Sequence, residues 1–126
     1  MKILIEFVPH ESQRYETCGD YYYDKSGNLI VLISDTGDAR SNYAVAIHEL
    51  FEALSCQIAE IPEEDITEFD LAYEEARKPE DTTSEPGDDP SSPYCLQHKS
   101  ATLAERIFCD TVDLDWSRHE ANVYAL

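Results

Sequence analysis

Residues 43–54 read YAVAIHELFEAL, and this stretch decides how the rest of the chain is interpreted. Its apolar residues recur at helical spacing, and the pattern extends over about residues 42–59, with Ser41 as the expected N-cap. The helix is apolar nearly all round, which predicts burial on most of its faces. The residues expected to form its core stripe are Ile47, Leu50, Phe51, Leu54 and Ile58.

Three ionisable side chains interrupt this apolar helix. His48 and Glu52 are four residues apart and share one face, while Glu49 projects about 100° further round. A buried carboxylate is costly unless it is paired, protonated or bound to a metal. The trio therefore predicts a metal site in which His48 and Glu52 bind the cation and Glu49 acts on bound water. The alternative is a helix whose acids face solvent or a partner.

The segment His48-Glu49-Leu50-Phe51-Glu52 resembles the His-Glu-x-x-His helix of zincin metallopeptidases, with Glu52 in place of the second histidine. The resemblance implies a peptidase-like hydrolase with zinc, or another divalent metal, as cofactor. It implies His48 as a ligand and Glu49 as the catalytic base that activates a metal-bound water. Carboxylates also bind zinc, so Glu52 can occupy the second ligand position. A strand-rich front before the motif helix is similar to the minimal zincin layout.

The whole chain also resembles small proteins of phage and prophage genomes, through residues 46–54, 85–89 and 98–101. That resemblance implies no activity. The length of 126 residues fits one domain, and no internal repeat divides it. We therefore expect residues 1–126 to form a single domain, with a loop at 78–92 where Pro, Gly, Ser, Thr and acids show no periodicity.

A third metal ligand must come from outside the helix. His98 is the first candidate, because Glu105 lies seven residues further on and thus on the same face of a following helix. Asp70 borders the apolar stripe of the second predicted helix. Cys95 stands at a Cys-x-x-His spacing from His98, which zinc tolerates. These three and Glu105 complete the candidate ligand set.

Each of these residues also has a simpler interpretation. His98 can be a helix-cap histidine that only hydrogen-bonds, and Asp70 an exposed helix carboxylate. Glu105 can form a surface ion pair with a basic neighbour, which we favour over ligation. His10 and His119 lie near the termini among polar neighbours and are weaker candidates.

Strand patterns come before the central helix. Residues 2–8 predict a first strand, and residues 21–23 and 29–33 predict a hairpin around a Gly-Asn turn. The run LIVLI at 29–33 is continuously apolar, which predicts a central strand buried on both faces. Pro62 opens a second helix, and a third begins at Ser92 or nearer residue 100. The order indicates an α+β fold: a small three-stranded sheet followed by about three helices.

The chain carries 27 Asp+Glu against 9 Lys+Arg, a net charge of -18. This charge argues against direct binding to nucleic acid or an anionic membrane and leaves cations and basic proteins as partners. Residues 59–90 contribute -11 through 13 acidic and two basic residues. A solvated helix face and loop explain them most simply. The alternative is an acidic inhibitor that mimics nucleic acid and binds a basic host protein; a second alternative is a structural metal protein without catalysis.

Four cysteines occur without a secretion signal, because the apolar run near the N-terminus is short and ends at Pro9. No apolar run approaches the length of a membrane span. We therefore expect a cytoplasmic protein with reduced thiols.

Overall fold

The fold was described from a computed structural model that covers all residues from 1 to 126. Three strands precede four helices, which confirms the predicted α+β class. The last of these helices is one more than the three predicted, and the side chain of Asp115 caps its first turn. The strands are β1 (Ile3–Val8), β2 (Gly19–Tyr23) and β3 (Leu29–Ser34), and the helices are α1 (Ala39–Ile58), α2 (Glu63–Ala76), α3 (Cys95–Thr111) and α4 (Trp116–Tyr124).

The sheet has the order β1-β3-β2, with β3 in the centre as predicted. β2 and β3 form an antiparallel hairpin, and Gly27 supplies the positive φ of 78° that its turn requires. β1 pairs with β3 in parallel. Leu29, Val31 and Ile33 are fully buried, but Ile30 and Leu32 between them are only half-buried. The expectation of burial on both faces is therefore met on one face only.

Helix α1 begins two residues before the predicted N-cap. Asp38 is the actual cap, and its side chain accepts a hydrogen bond from the backbone N–H of Arg40 at 2.9 Å. The prediction of Ser41 as N-cap is wrong, because Ser41 lies inside the first turn with its side chain fully buried. Ser41 instead bonds to residues of α4, so it helps to hold the C-terminal helix in place.

The face of α1 that packs on the sheet coincides only in part with the predicted stripe. Val45, Ala46 and Ala53 form the buried core with β3, since these smaller side chains let the helix lie close to the sheet. Leu50 and Leu54 contact that core only in part. In the predicted stripe, Phe51 is 41% exposed and Ile58 is 85% exposed. Phe51 and Ile58 therefore face outward, while Leu50 and Leu54 pack at the border of the core.

Helix α2 has no buried residue, and α3 begins just after the Ser-Pro pair at 92–93 rather than near residue 100. The predicted loop at 78–92 is irregular apart from a short 3-10 turn at Pro86–Asp88. All four cysteines are free thiols. None of the helices combines the length and apolar character needed to cross a membrane.

Candidate metal centre

Three of the predicted ligands meet where α1 packs on α3. The Oε2 atom of Glu52 lies 3.2 Å from Nε2 of His48 and 2.9 Å from Nδ1 of His98. One nitrogen or oxygen atom from each side chain lies within 4.8 Å of the others. The three side chains are only 8–12% exposed. The fold thus brings His98 on α3 next to His48 and Glu52 on α1, which are at least 46 positions away along the chain.

The outer nitrogens of both imidazoles contact other carboxylates. Nδ1 of His48 lies 2.8 Å from Oε1 of Glu105, and Nε2 of His98 lies 2.8 Å from Oε2 of Glu85. Histidines that bind a metal almost always donate their other N–H to a carboxylate, carbonyl or water, which fixes the tautomer. Here that contact leaves the two nitrogens next to Glu52 as the free ligand atoms. The contacts of the outer nitrogens, like the three ligands themselves, therefore fit a cation site.

The charges of the group compensate one another. Burial by itself lowers the pKa of His48, but the hydrogen bonds to Glu105 and Glu52 outweigh it and raise that pKa to about 11. In the same way, contacts with Glu52 and Glu85 overcome burial and raise the pKa of His98 to about 10. Burial raises the pKa of Glu52, yet its bonds to both imidazoles bring the pKa below the usual range. Protons on the imidazoles occupy the positions that a cation would take.

The structure contradicts the surface ion pair that we expected for Glu105. This residue does not pair at the surface, because its side chain is 13% exposed and lies between two imidazoles. Its Oε2 accepts a hydrogen bond from Nε2 of His119 at 2.6 Å. Nδ1 of His119 lies 3.0 Å from the Ser41 hydroxyl. Glu105 is thus an outer partner of His48 rather than a member of the three-ligand group.

The polar neighbours of His119 in the sequence make it a weaker candidate for the site, yet its side chain is only 1% exposed. A signal for its burial does exist, because Trp116, His119 and Val123 recur at helical spacing and place it on the apolar face of α4. The ring of Trp116 lies 5.2 Å from that of His119. His119 extends the alternation of imidazoles and carboxylates to the C-terminal helix.

Glu49 projects from α1 toward β2 and borders the same cleft as His48 and Glu52. A Cβ atom at Gly19 would lie 2.7 Å from Cγ of Glu49, so only glycine leaves room for this side chain. Burial, and then the charge of Glu52, raise the pKa of Glu49 to about 8. Burial therefore favours the protonated form of the Glu49 carboxyl group at neutral pH.

A second glycine makes room for His98. A Cβ atom at Gly87 would lie 2.4 Å from Cγ of that imidazole, and the backbone of Gly87 does not adopt a positive φ. The requirement for glycine is therefore one of space. The short turn at Pro86–Asp88 packs directly against the candidate ligand.

The site opens into a cleft of about 1210 Å³ bordered by His48, Glu49, Glu52 and His98. Asp70 lines this cleft, but its Oδ1 accepts a hydrogen bond from the Tyr94 hydroxyl at 2.8 Å and it does not join the ligand group. Cys95, the first residue of α3, does not join it either. The cleft gives a small molecule or an extended chain access to the group.

His98 also faces a second, more exposed group on its outer side. Its Nε2 lies 2.8 Å from Glu85 and 3.4 Å from Asp88, whose side chains are 53% and 55% exposed. These acids are better explained as outer partners of the imidazole than as a separate metal site, because exposed acidic groups commonly lie close together without an ion.

No protein-family model, curated protein or solved structure matches the chain.

Proposed function

We propose that the protein is a small zincin-like metal-dependent hydrolase in which His48, Glu52 and His98 hold a divalent cation, with zinc as the first choice. The observation that supports this most directly is the position of Glu52 between two imidazole nitrogens whose other nitrogens contact carboxylates. Two imidazoles and one carboxylate are a known ligand set of catalytic zinc sites, which keep a further position open. The adjoining cleft supports access to that position.

A bound cation of this kind would polarise a carbonyl group and lower the pKa of water. The protein's own part is to hold and move protons. Glu49 follows His48 on α1, and a cation bound beside it would lower its raised pKa, so that the carboxylate could accept a proton and return it to a leaving group. Glu105 and Glu85 fix the orientation of the two imidazoles. The substrate class that we propose is a peptide or another carbonyl compound open to attack by water.

Metal analysis tests the ligand set. We expect protein purified without chelator to contain about one zinc or similar ion per chain by plasma mass spectrometry, and we expect His48→Ala and His98→Ala to lose it. His10→Ala is the matched control, since His10 contacts Ser34 and Glu16 outside the group. A wild-type protein that neither contains nor takes up a transition metal, or unchanged metal content in His48→Ala, would refute the proposal.

The catalytic step needs a separate test. Glu49→Gln should keep the metal content of the wild type and lose hydrolysis of a peptide and ester panel by at least about 100-fold. If wild-type protein binds the metal tightly, hydrolyses nothing and melts when a chelator removes the ion, the site is structural and the catalytic part of the proposal is wrong.

A second candidate function rests on the acidic surface. Glu63, Glu64 and Asp65 open α2 and are all exposed, on a helix that buries no residue. This surface supports binding to a basic protein that normally binds nucleic acid. Such binding should weaken steeply with salt and should be unchanged in His48→Ala. Failure to bind basic nucleic-acid enzymes at low salt would remove this candidate and leave the metal proposal intact.

A further inference from the structure

The outward face of α1 is apolar from Tyr43 to Ile58, with Arg40 at its N-terminal end. Tyr43, Ile47 and Ile58 share this side of the helix with Phe51, and Leu54 lies at its border with the core; none of these residues is charged at neutral pH. Tyr43 is 50% exposed, Phe51 41% and Ile58 85%. On a chain with a net charge of -18, an exposed apolar helix face of this kind marks a site of interaction with another molecule.

The apolar surface continues onto β1. The ring of Phe7 lies 5.6 Å from that of Tyr43. By its register, β1 places Ile3 opposite Leu29 and Phe7 opposite Ile33, so these side chains point to the face of the sheet that α1 covers. Ile3 is nevertheless 44% exposed and Phe7 43% exposed, because α1 lies over the other two strands. Helix α1 therefore covers the two ends of β1 less completely than it covers β2 and β3, although Ile5 in the middle of the strand packs against the core.

We call this surface the α1–β1 face. Its residues are Ile3, Phe7, Tyr43, Ile47, Leu50, Phe51, Leu54 and Ile58. Large side chains carry roughly 200 Å² each, so the face presents on the order of 700 Å² of apolar area. Stable interfaces bury about 800 Å² per partner. The edge of β1 next to it leaves backbone groups unpaired, which soluble proteins usually cover or protect. The face thus has the size and character of one half of an interface.

We propose that the α1–β1 face binds a second copy of this chain and that the protein is a symmetric dimer. Charge favours this occupant over others: a basic partner would be drawn to the acidic residues 59–90, and an anionic membrane would be repelled. An uncharged face matches an identical uncharged face, and a two-fold axis brings the centres of the two α1 helices together. His48 and Glu52 project from a different side of α1, toward α3, so the dimer leaves the candidate metal centre accessible.

Sedimentation velocity and light scattering test the proposal on the full chain. We expect a species of twice the 14.3 kDa chain mass at micromolar concentration. Higher salt should tighten the association, since screening reduces the repulsion between two acidic chains. Phe51→Glu with Ile58→Glu should weaken the dimer by at least about 100-fold without changing the circular dichroism of the fold. Ile58→Glu alone is a milder variant at the most exposed position of the face and should weaken it by about 10-fold.

Leu71→Glu is the matched control, because Leu71 is 67% exposed on α2, outside the α1–β1 face. It should sediment as the wild type does. A wild-type chain that stays at 14.3 kDa at about 100 µM, a dimer that dissociates as salt is raised, or a folded double variant that keeps the dimer mass would each overturn the proposal. A monomer that instead binds neutral lipid vesicles through this face would also overturn it.

Discussion

The Nδ1 atom of His48 on α1 lies 2.8 Å from the Oε1 atom of Glu105 on α3, although the two residues are 57 positions apart. The other oxygen of Glu105 accepts a hydrogen bond from His119. A single carboxylate therefore orients His48 and connects three helices. Since the opposite nitrogen of His48 faces Glu52, the orientation of this ring decides whether the ligand group can form.

We expect Glu105→Gln to lower the affinity for zinc by about 10–100-fold, because the loss of an outer carboxylate makes the imidazole a poorer ligand. Competition with a chromophoric chelator measures this affinity. Asp110→Asn is the control, since Asp110 is exposed near the end of the same helix. Equal affinities for wild type and Glu105→Gln would show that Glu105 has only a structural role.

The two glycines that contact site residues separate binding from catalysis. Gly87→Ala should displace His98 and reduce bound metal at least about 10-fold, because the new Cβ atom meets the imidazole at 2.4 Å. Gly19→Ala should displace Glu49 instead, so we expect it to keep its metal and lose hydrolytic activity. Metal analysis and a peptidase assay on both variants check the prediction. Loss of metal in Gly19→Ala with retention in Gly87→Ala would reverse the assigned roles.

Asp70 makes stability depend on pH. Burial raises its pKa from 3.8 to about 6, so the folded chain holds this proton more tightly than the unfolded chain. The resulting stabilisation is complete below about pH 4 and is lost as the pH rises through 6. Asp70→Asn keeps an acceptor for the Tyr94 hydroxyl and avoids the buried charge. We expect the free energy of unfolding of Asp70→Asn to exceed that of the wild type by about 1 kcal/mol at pH 8, after allowance for solvent screening. At pH 4.5 the two values should differ little.

Urea unfolding at the two pH values measures this difference. Glu75→Gln on the exposed side of α2 is the control and should show no comparable change with pH. If the gain of Asp70→Asn is the same at both pH values, the charge of Asp70 is not its cause.

The cap of α1 should be worth about 1 kcal/mol. Asp38→Ala removes the acceptor for the backbone N–H of Arg40 and should lower the free energy of unfolding by that amount, without changing the affinity for zinc. Asp110→Ala, a change at an exposed position in the last turn of α3 that caps no helix, should alter stability by less than about 0.5 kcal/mol. Equal effects of the two substitutions in denaturant unfolding would contradict the assignment of Asp38 as the cap.

Much of the fold follows from local patterns. The Gly27 turn and the apolar run at 29–33 predict the hairpin and the central strand, and the helical spacing around His48 predicts α1. The face of α1 that meets the sheet could not be predicted in the same way. Periodicity shows that Phe51 and Ile58 share a side, but the packing of small residues such as Ala53 against β3 decides which side is buried.

The candidate site divides in the same manner. His48 and Glu52 could be paired from their spacing on one helix, and His98 could be proposed as the third member of the group. The burial of Glu105 could not, because it depends on contacts with His48 on α1 and His119 on α4. Nothing in the residues next to Glu105 marks these contacts, whereas the apolar spacing of α4 does indicate the burial of His119.

The group around Glu52 joins segments that are far apart along the chain, with 46 residues between Glu52 and His98 and 78 between Ser41 and His119. Closing such long loops costs entropy that local contacts do not, so these bonds should form late in folding. A cation would then find its ligands only in a chain that is already folded. It should slow the unfolding of the native protein and leave the rate of folding nearly unchanged.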